Sequence, residues 1–174
     1  EDGGASPHIL VEILRARQLA EAAKVPDIID MVTDACAEGY SVAIFVNFTD
    51  TVLALSTAMP HASIIVGGQS ADAREEYVQR FQTNQTNVII CNIAAGGVGV
   101  SLHDTVGGHP RMSMISPTFN VKDYIQTLGR VHRAGAKTPV VQRVLVASKT
   151  IEEKIIKKME EKRLTLETLH HQST

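Results

Sequence analysis

Five short aliphatic runs, separated for the most part by helix-length amphipathic stretches, constrain this chain more than any other feature. The runs lie near 42–46, 63–66, 87–91, 112–116 and 140–146, and each is too continuously apolar to be a half-exposed strand. Helical patterns lie between them near 50–58, 71–83 and 120–134, and a last one runs over 150–166. Two more precede the first strand. One covers 8–23, with Ile9, Ile13, Ala16 and Ala20 on one face. The other covers 26–37, with Pro26 in its first turn and Gly39 just past its end. Alternation of helices with fully apolar strands predicts an α/β fold: one mostly parallel sheet with helices on both faces. Ligands of such sheets bind beyond the carboxyl ends of the strands, so the residues just after each run are the ones to inspect.

Composition bounds the rest. A chain of 174 residues suits one domain that buries about 70% of its extended surface. Aromatics make up 4% and tryptophan is absent, so the core must be aliphatic. A net charge of −2 argues against a broadly basic nucleic-acid binder and confines any such contact to a local patch. Cys36 and Cys91 are far apart and form no C-x-x-C, which points to buried thiols in a reducing, intracellular compartment. No run has membrane-spanning length and no signal peptide is expected. Residues 1–6 read as a flexible leader, 7–167 as the domain and 168–174 as a tail. His103, Asp104 and His109 cluster without the regular ligand spacing of a zinc site, so no metal is assigned to this chain.

Two segments carry chemistry. In Gln126-Thr-Leu-Gly-Arg130-Val-His-Arg133, a continuous helix puts Gln126, Arg130 and Arg133 at i, i+4 and i+7, on one face. Guanidinium groups stay charged and fork onto phosphate oxygens, and two together can neutralise a transferring γ-phosphoryl group. Upstream, Val88-Ile-Ile-Cys-Asn-Ile-Ala-Ala-Gly-Gly-Val-Gly-Val-Ser-Leu102 reads as a strand breaking into a small-residue turn, where backbone can approach a ligand closely.

Together these segments resemble motifs V and VI of superfamily 2 helicases and translocases. Ser41-Val-Ala-Ile-Phe-Val-Asn-Phe48 resembles motif IV. Gly67-Gly-Gln-Ser-Ala-Asp-Ala-Arg74 with Phe81 resembles the glycine-led turn and Arg-bearing helix of the Swi/Snf group. Pro117-Thr-Phe-Asn-Val121 and Thr150-Ile-Glu-Glu-Lys-Ile155 resemble that group's flanks of motif VI. The stretch from Ala20 to Val46 is most similar to the annealing-helicase branch. Two departures stand out: His103–Arg111 is longer than its Swi/Snf counterpart, and Phe119 replaces a tryptophan. The former stretch is also similar to helicase-like proteins of large DNA viruses and phages.

The resemblance implies a single RecA-like domain over 7–167, the second motor lobe of an ATP-dependent DNA helicase or translocase. RNA as the strand, or a non-catalytic RecA-like binding module, are the alternatives. It implies that Arg130 and Arg133 reach the γ-phosphate of ATP held with Mg²⁺ by an N-terminal RecA-like lobe, with Gln126 aligning beside them. Gly97 and Gly99 would shape the loop near the nucleotide, and Asn47, Gly68 and Asn92 would line the path of the nucleic acid. Phe48 and Phe119 are open to either a base-stacking or a core role. Arg74 is expected to tie its helix to the sheet or to motif V. The chain itself has no G-x-x-x-x-G-K-S/T phosphate loop and no acidic Mg²⁺ box.

Overall fold

In the computed structural model, which describes residues 6–96 and 100–171, the five aliphatic runs pair side by side. They form β1 (Ser41–Val46), β2 (Ser63–Ile65), β3 (Val88–Asn92), β4 (Arg111–Ile115) and β5 (Val140–Val144), in the order β2-β3-β1-β4-β5 with every pairing parallel. The three central strands are buried along their whole length. Parallel strands covered on both faces have no wet side, which is why their sequences carry no alternation.

Seven helices are described: α1 (Pro7–Ala23), α2 (Val25–Ala37), α3 (Thr49–Ala58), α4 (Ala71–Gln82), α5 (Ile93–Gly96), α6 (Val121–Val131) and α7 (Ile151–His171). On one face of the sheet, Val42, Ile44, Val46, Met112 and Met114 pack against Ile28 and Val32 of α2 and Val52 and Leu55 of α3. On the other, Ala43, Phe45, Ile89 and Ile115 meet Phe81 of α4 and Val131 of α6. Tyr124 of α6 packs with Ile155 and Met159 of α7, and its hydroxyl donates to Glu160 at 2.6 Å. Among the described residues no helix is long and apolar enough to cross a membrane.

Four expectations change. The last strand is half-exposed rather than buried: β5 closes one edge of the sheet, pairs only with β4, and leaves Gln142 and Arg143 exposed. The small-residue stretch after β3 begins with the short α5 instead of a plain loop. The final helix continues to His171, past the expected end at 166. Finally, α6 stops at Val131 rather than 134, with His132 extended at φ −92°, ψ 98°. A continuing helix would give the Arg130 carbonyl to the amide four residues ahead. Here that carbonyl accepts from Leu102 N at 2.9 Å, and the chain turns through Gly135 at φ +92°.

The long stretch before β4 is organised by Asp104, which is 1% exposed. Its carboxylate accepts from Val106 N (3.1 Å), Gly107 N (2.9 Å), His109 N (3.2 Å) and the Thr138 hydroxyl (3.0 Å). Asp104 is thus the acceptor that folds the loop. Burial alone would raise its pKa, but the bonds from Gly107, His109, Val106 and Thr138 outweigh it and hold the carboxyl below its usual value. A carboxyl with a depressed folded pKa contributes fully above its unfolded value of about 4, and that contribution disappears as pH falls through the lower folded value. Asp104→Asn places an amide among these donors and is expected to cost about 2 kcal/mol at neutral pH. Its stability should also fall less steeply than the wild type's on acidification. Urea unfolding at pH 7 and along an acid series measures both; a midpoint equal to wild type at pH 7 would remove this role.

Candidate functional site

Because every strand is parallel, the residues following all five strands gather along one edge of the sheet. The chain leaves β1 through α3 on one face and leaves β4 through α6 on the other. The carboxyl ends of β1 and β4 therefore flank a topological switch point, where open α/β sheets form a crevice. Asn47 and Phe48 stand at the end of one strand, and Ser116 to Asn120 at the end of the other.

Asn120 starts α6: its side-chain oxygen accepts from Lys122 N at 3.0 Å and Asp123 N at 3.2 Å. The helix carries Gln126, half-buried and with no side-chain hydrogen bond among the described residues, and Arg130, which is 6% exposed. The Arg130 guanidinium donates to Val100 O at 3.4 Å, while its carbonyl holds Leu102 N. Side chain and main chain of one residue thus join α6 to the segment after the small-residue turn. Burial lowers the Arg130 pKa, and repulsion from Arg133 adds to this, against attraction from Cys91. The two guanidiniums are therefore within electrostatic reach of each other. Arg133, expected on the same helical face, instead lies beyond the end of α6. It is exposed, and its Nε donates back to Gly129 O at 3.1 Å.

The residues expected to line a strand's path come together only in part. Asn92, at the end of β3, shares a depression of about 370 Å³ with Thr49, Val66, Gly67, Ala94 and Ala95. Gly68 adopts φ +81° in the adjoining turn, which Gln69 closes by accepting from Val66 N and donating to Ile64 O. Asn92 is 9% exposed, donates to Asn47 O at 3.2 Å and accepts from Ala95 N. The Asn47 amide is spent internally, on Glu21 (2.8 Å) and Pro117 O (2.8 Å). Gly97 and Gly99 lie outside the described residues. Arg74 lines a cleft between α4 and the segment Val100, Ser101 and Thr105. The tie expected of Arg74 is made by Gln82, which donates to Ser101 O at 2.8 Å and accepts from buried Arg111 at 3.1 Å. Cys91 is a core residue, its thiol pushed up to about 12 by burial despite Arg130 and Arg74 nearby.

Sequence reasoning missed three side chains that build the switch point. Glu21, fully buried, receives Asn47 N, Phe48 N and the Asn47 amide, and so holds the turn that leads from β1 into α3. Lys24 pairs with Glu152 at 2.8 Å and donates to Ser116 Oγ and Leu145 O, at the ends of β4 and β5. Arg17 lies over the rings of Phe48 (5.5 Å) and Phe119 (4.8 Å). Glu21 and Lys24 lie within the stretch from Ala20 that resembles the annealing-helicase branch, but the likeness assigns no role to either, and Arg17 lies before it. A charged residue on a helix beside alanines reads as a solvated face, and the partners lie far along the chain.

Residues 23–135 match the model of the helicase conserved C-terminal domain. The chain is 41% identical over 154 residues to L364 of Acanthamoeba polyphaga mimivirus, a protein named for ATP-dependent RNA helicase activity; the match covers 88% of this chain and 29% of that protein. It is 28% identical over 140 residues to the ATP-dependent helicase fft3 of Schizosaccharomyces pombe, covering 78% of this chain and 15% of that one. Among solved structures, the C-terminal part of the Fun30 ATPase domain superposes with a TM-score of 0.67 at 22% identity, over 77% of this chain and 44% of that chain. The likeness to Fun30 concerns the fold alone. The chain spans less than a third of the length of either curated relative.

Proposed function

The chain belongs to the helicase conserved C-terminal domain family, as the C-terminal RecA-like lobe of a superfamily 2 helicase, and from that premise we propose its division of labour. It completes an ATPase site held mainly by a first lobe and supplies part of a nucleic-acid track. The observation that carries this reading is the arginine pair. Arg133 stands exposed beyond α6, and Arg130 is anchored behind it on Val100 O. A cation that is exposed yet backed by a fixed partner can meet developing negative charge without reorganising, which is where electrostatic catalysis has its largest effect. Gln126 stands one turn before Arg130 with its amide unspent among the described residues.

ATP fits this chain only at its γ-phosphate end. Arg133 would neutralise charge on the transferring group; Arg130 would fix the segment from Val100 to Leu102 against α6. Mg²⁺ and the phosphate-cradling backbone belong, on this reading, to the first lobe. Among the described residues no three His, Cys, Asp or Glu side chains converge as a metal site. The nucleic acid would run along the switch-point edge past Gly68 and the Asn92 depression. Asn47 contributes there by holding the edge together through Glu21 and Pro117 rather than with a spare amide. DNA is our leading assignment for the strand, from the likeness of the sequence segments to the Swi/Snf group. The mimivirus relative's name makes RNA the competing one.

The first test is catalytic. This chain alone is expected to hydrolyse ATP at background rate with or without DNA or RNA. Adding a first lobe, in cis or in trans, should bring turnover stimulated by nucleic acid. Robust turnover by the 174-residue chain would overturn the division of labour. Comparing stimulation by DNA and RNA on the two-lobe protein decides the strand.

A further inference from the structure

We propose that Arg17 is a phosphate-contacting residue of the nucleic-acid track, held in place by the two aromatic rings at the β1/β4 switch point. The inference rests on the nucleic-acid reading above and adds to it a residue outside every helicase-like segment of the sequence.

Arg17 sits on α1, half-buried, with its guanidinium 4.8 Å from the Phe119 centroid and 5.5 Å from that of Phe48. Both distances lie inside the range in which a cation is attracted to a ring face. A planar guanidinium that uses its faces on rings keeps its N–H donors, which radiate in its own plane, for other partners. Yet among the described residues the Arg17 side chain makes no hydrogen bond and no ion pair. The carboxylates near enough to act on it are Glu21 and Glu152. Their attraction opposes the burial that lowers its pKa. Both are already committed, Glu21 to the amides of Asn47 and Phe48, Glu152 to Lys24 and Ala147 N. The site is therefore a fixed cation, partly desolvated, with donors unspent. Such a group gains most from an anionic acceptor that arrives with the ligand.

The position selects the class of anion. Arg17 overlies the carboxyl ends of β1 and β4, the crevice where sheets of this kind take ligands. Phe119 remains 36% exposed, so a sugar or base can lie against it while the adjacent phosphate meets the guanidinium. A phosphodiester backbone meets that description; a carboxylate from a first lobe is the competing partner. The contact is to backbone, so it carries affinity and not sequence.

The experiment is fluorescence anisotropy with a dye-labelled oligothymidylate of about 20 nucleotides, longer than one site of this kind, titrated across a salt series. The two-lobe protein is compared as wild type, Arg17→Gln and Arg17→Lys, with thermal melting as the folding control. Arg17→Gln should weaken binding about tenfold at low salt and reduce the slope of log K against log salt by about 0.7, the value for one phosphate on a single strand. Arg17→Lys keeps the charge and should keep the slope while still losing affinity, because an ammonium lacks the planar fork and the ring stacking. In addition, on an oligothymidylate cut to the length of one site, so that a single register is bound, a neutral methylphosphonate scanned along the strand should find one position where wild type loses affinity and Arg17→Lys loses less.

Equal affinity and slope in folded Arg17→Gln would overturn the proposal while leaving the nucleic-acid track intact. If wild type does not bind the oligonucleotide at all, the track reading fails and Arg17 fails with it. Loss of ATPase in folded Arg17→Gln, with binding and slope unchanged, would identify the carboxylate of a first lobe as the partner and also overturn the proposal. If the glutamine variant does not fold, the lysine variant and the methylphosphonate scan decide alone, and identical profiles for lysine and wild type would count against the contact.

Discussion

Arg133→Ala in the two-lobe protein is expected to lower kcat for ATP hydrolysis by about 10³-fold or more, with ground-state nucleotide binding nearly unchanged. The expectation rests on differential stabilisation. A finger acts on charge that develops as the phosphoryl group transfers, while most ground-state affinity comes from the other lobe. Arg133 is exposed and, among the described residues, its side chain is held only by the Nε bond to Gly129 O, so its loss should leave the melting temperature close to wild type. Arg133→Lys should fail as well, because an ammonium cannot place two parallel donors on two oxygens.

Arg130→Ala should behave differently. Its guanidinium is buried and donates to Val100 O, so the variant should lose both turnover and thermal stability. The double variant should cost much less turnover than the two single losses combined if the arginines act as one unit. Steady-state ATPase kinetics with saturating nucleic acid, paired with melting curves, measure all of these. Near-normal kcat in a folded Arg133→Ala protein would return that arginine to the status of a solvated surface cation.

Lys24→Met is expected to destabilise the fold by about 3–5 kcal/mol, the cost of leaving a buried charge without its partner. The Lys24 and Glu152 side chains are 8% and 3% exposed, and their ion pair at 2.8 Å joins the α1–α2 junction to the start of α7. The ammonium also donates to Ser116 Oγ at 3.0 Å and Leu145 O at 2.8 Å, so it clamps the ends of β4 and β5. Removing it strands a carboxylate whose other oxygen still accepts from Ala147 N. Lys24→Met with Glu152→Gln should recover most of the loss, because a glutamine keeps that acceptor and carries no charge. Urea unfolding of Lys24→Met, Glu152→Gln and the double variant against wild type measures the cycle. A single-variant cost below about 1 kcal/mol, the range of an exposed pair, would show that water reaches this pair and that the clamp is weak.

The parts legible in the sequence are those whose physics is local. Aliphatic continuity identified the central strands because burial on both faces leaves no other composition open to them. The strand–helix order then placed Asn47, Gly68 and Asn92 at one edge, since a parallel sheet puts every strand's carboxyl end on the same side. The arginine motif was equally plain, because a charged pair at fixed spacing is a pattern within a few residues. Edge position was not: β5 has the composition of a core strand, and only its single neighbour makes it half-exposed.

Tertiary structure alone decided how the site is assembled. The end of α6, and with it the separation of Arg133 from Arg130, depends on Leu102 N taking the Arg130 carbonyl, a contact between segments that the sequence lists far apart. Glu21 meets Asn47 across 26 residues, and Lys24 meets Ser116 across 92 and Leu145 across 121. Arg17 meets Phe48 and Phe119 from a helix with no motif of its own. The sequence by itself determined the buried central strands and the helix-forming stretches between them, because these follow from transfer free energy and backbone sterics at each position. Which charge finds which partner follows from where the sheet brings distant segments together, and no short window of residues contains that information.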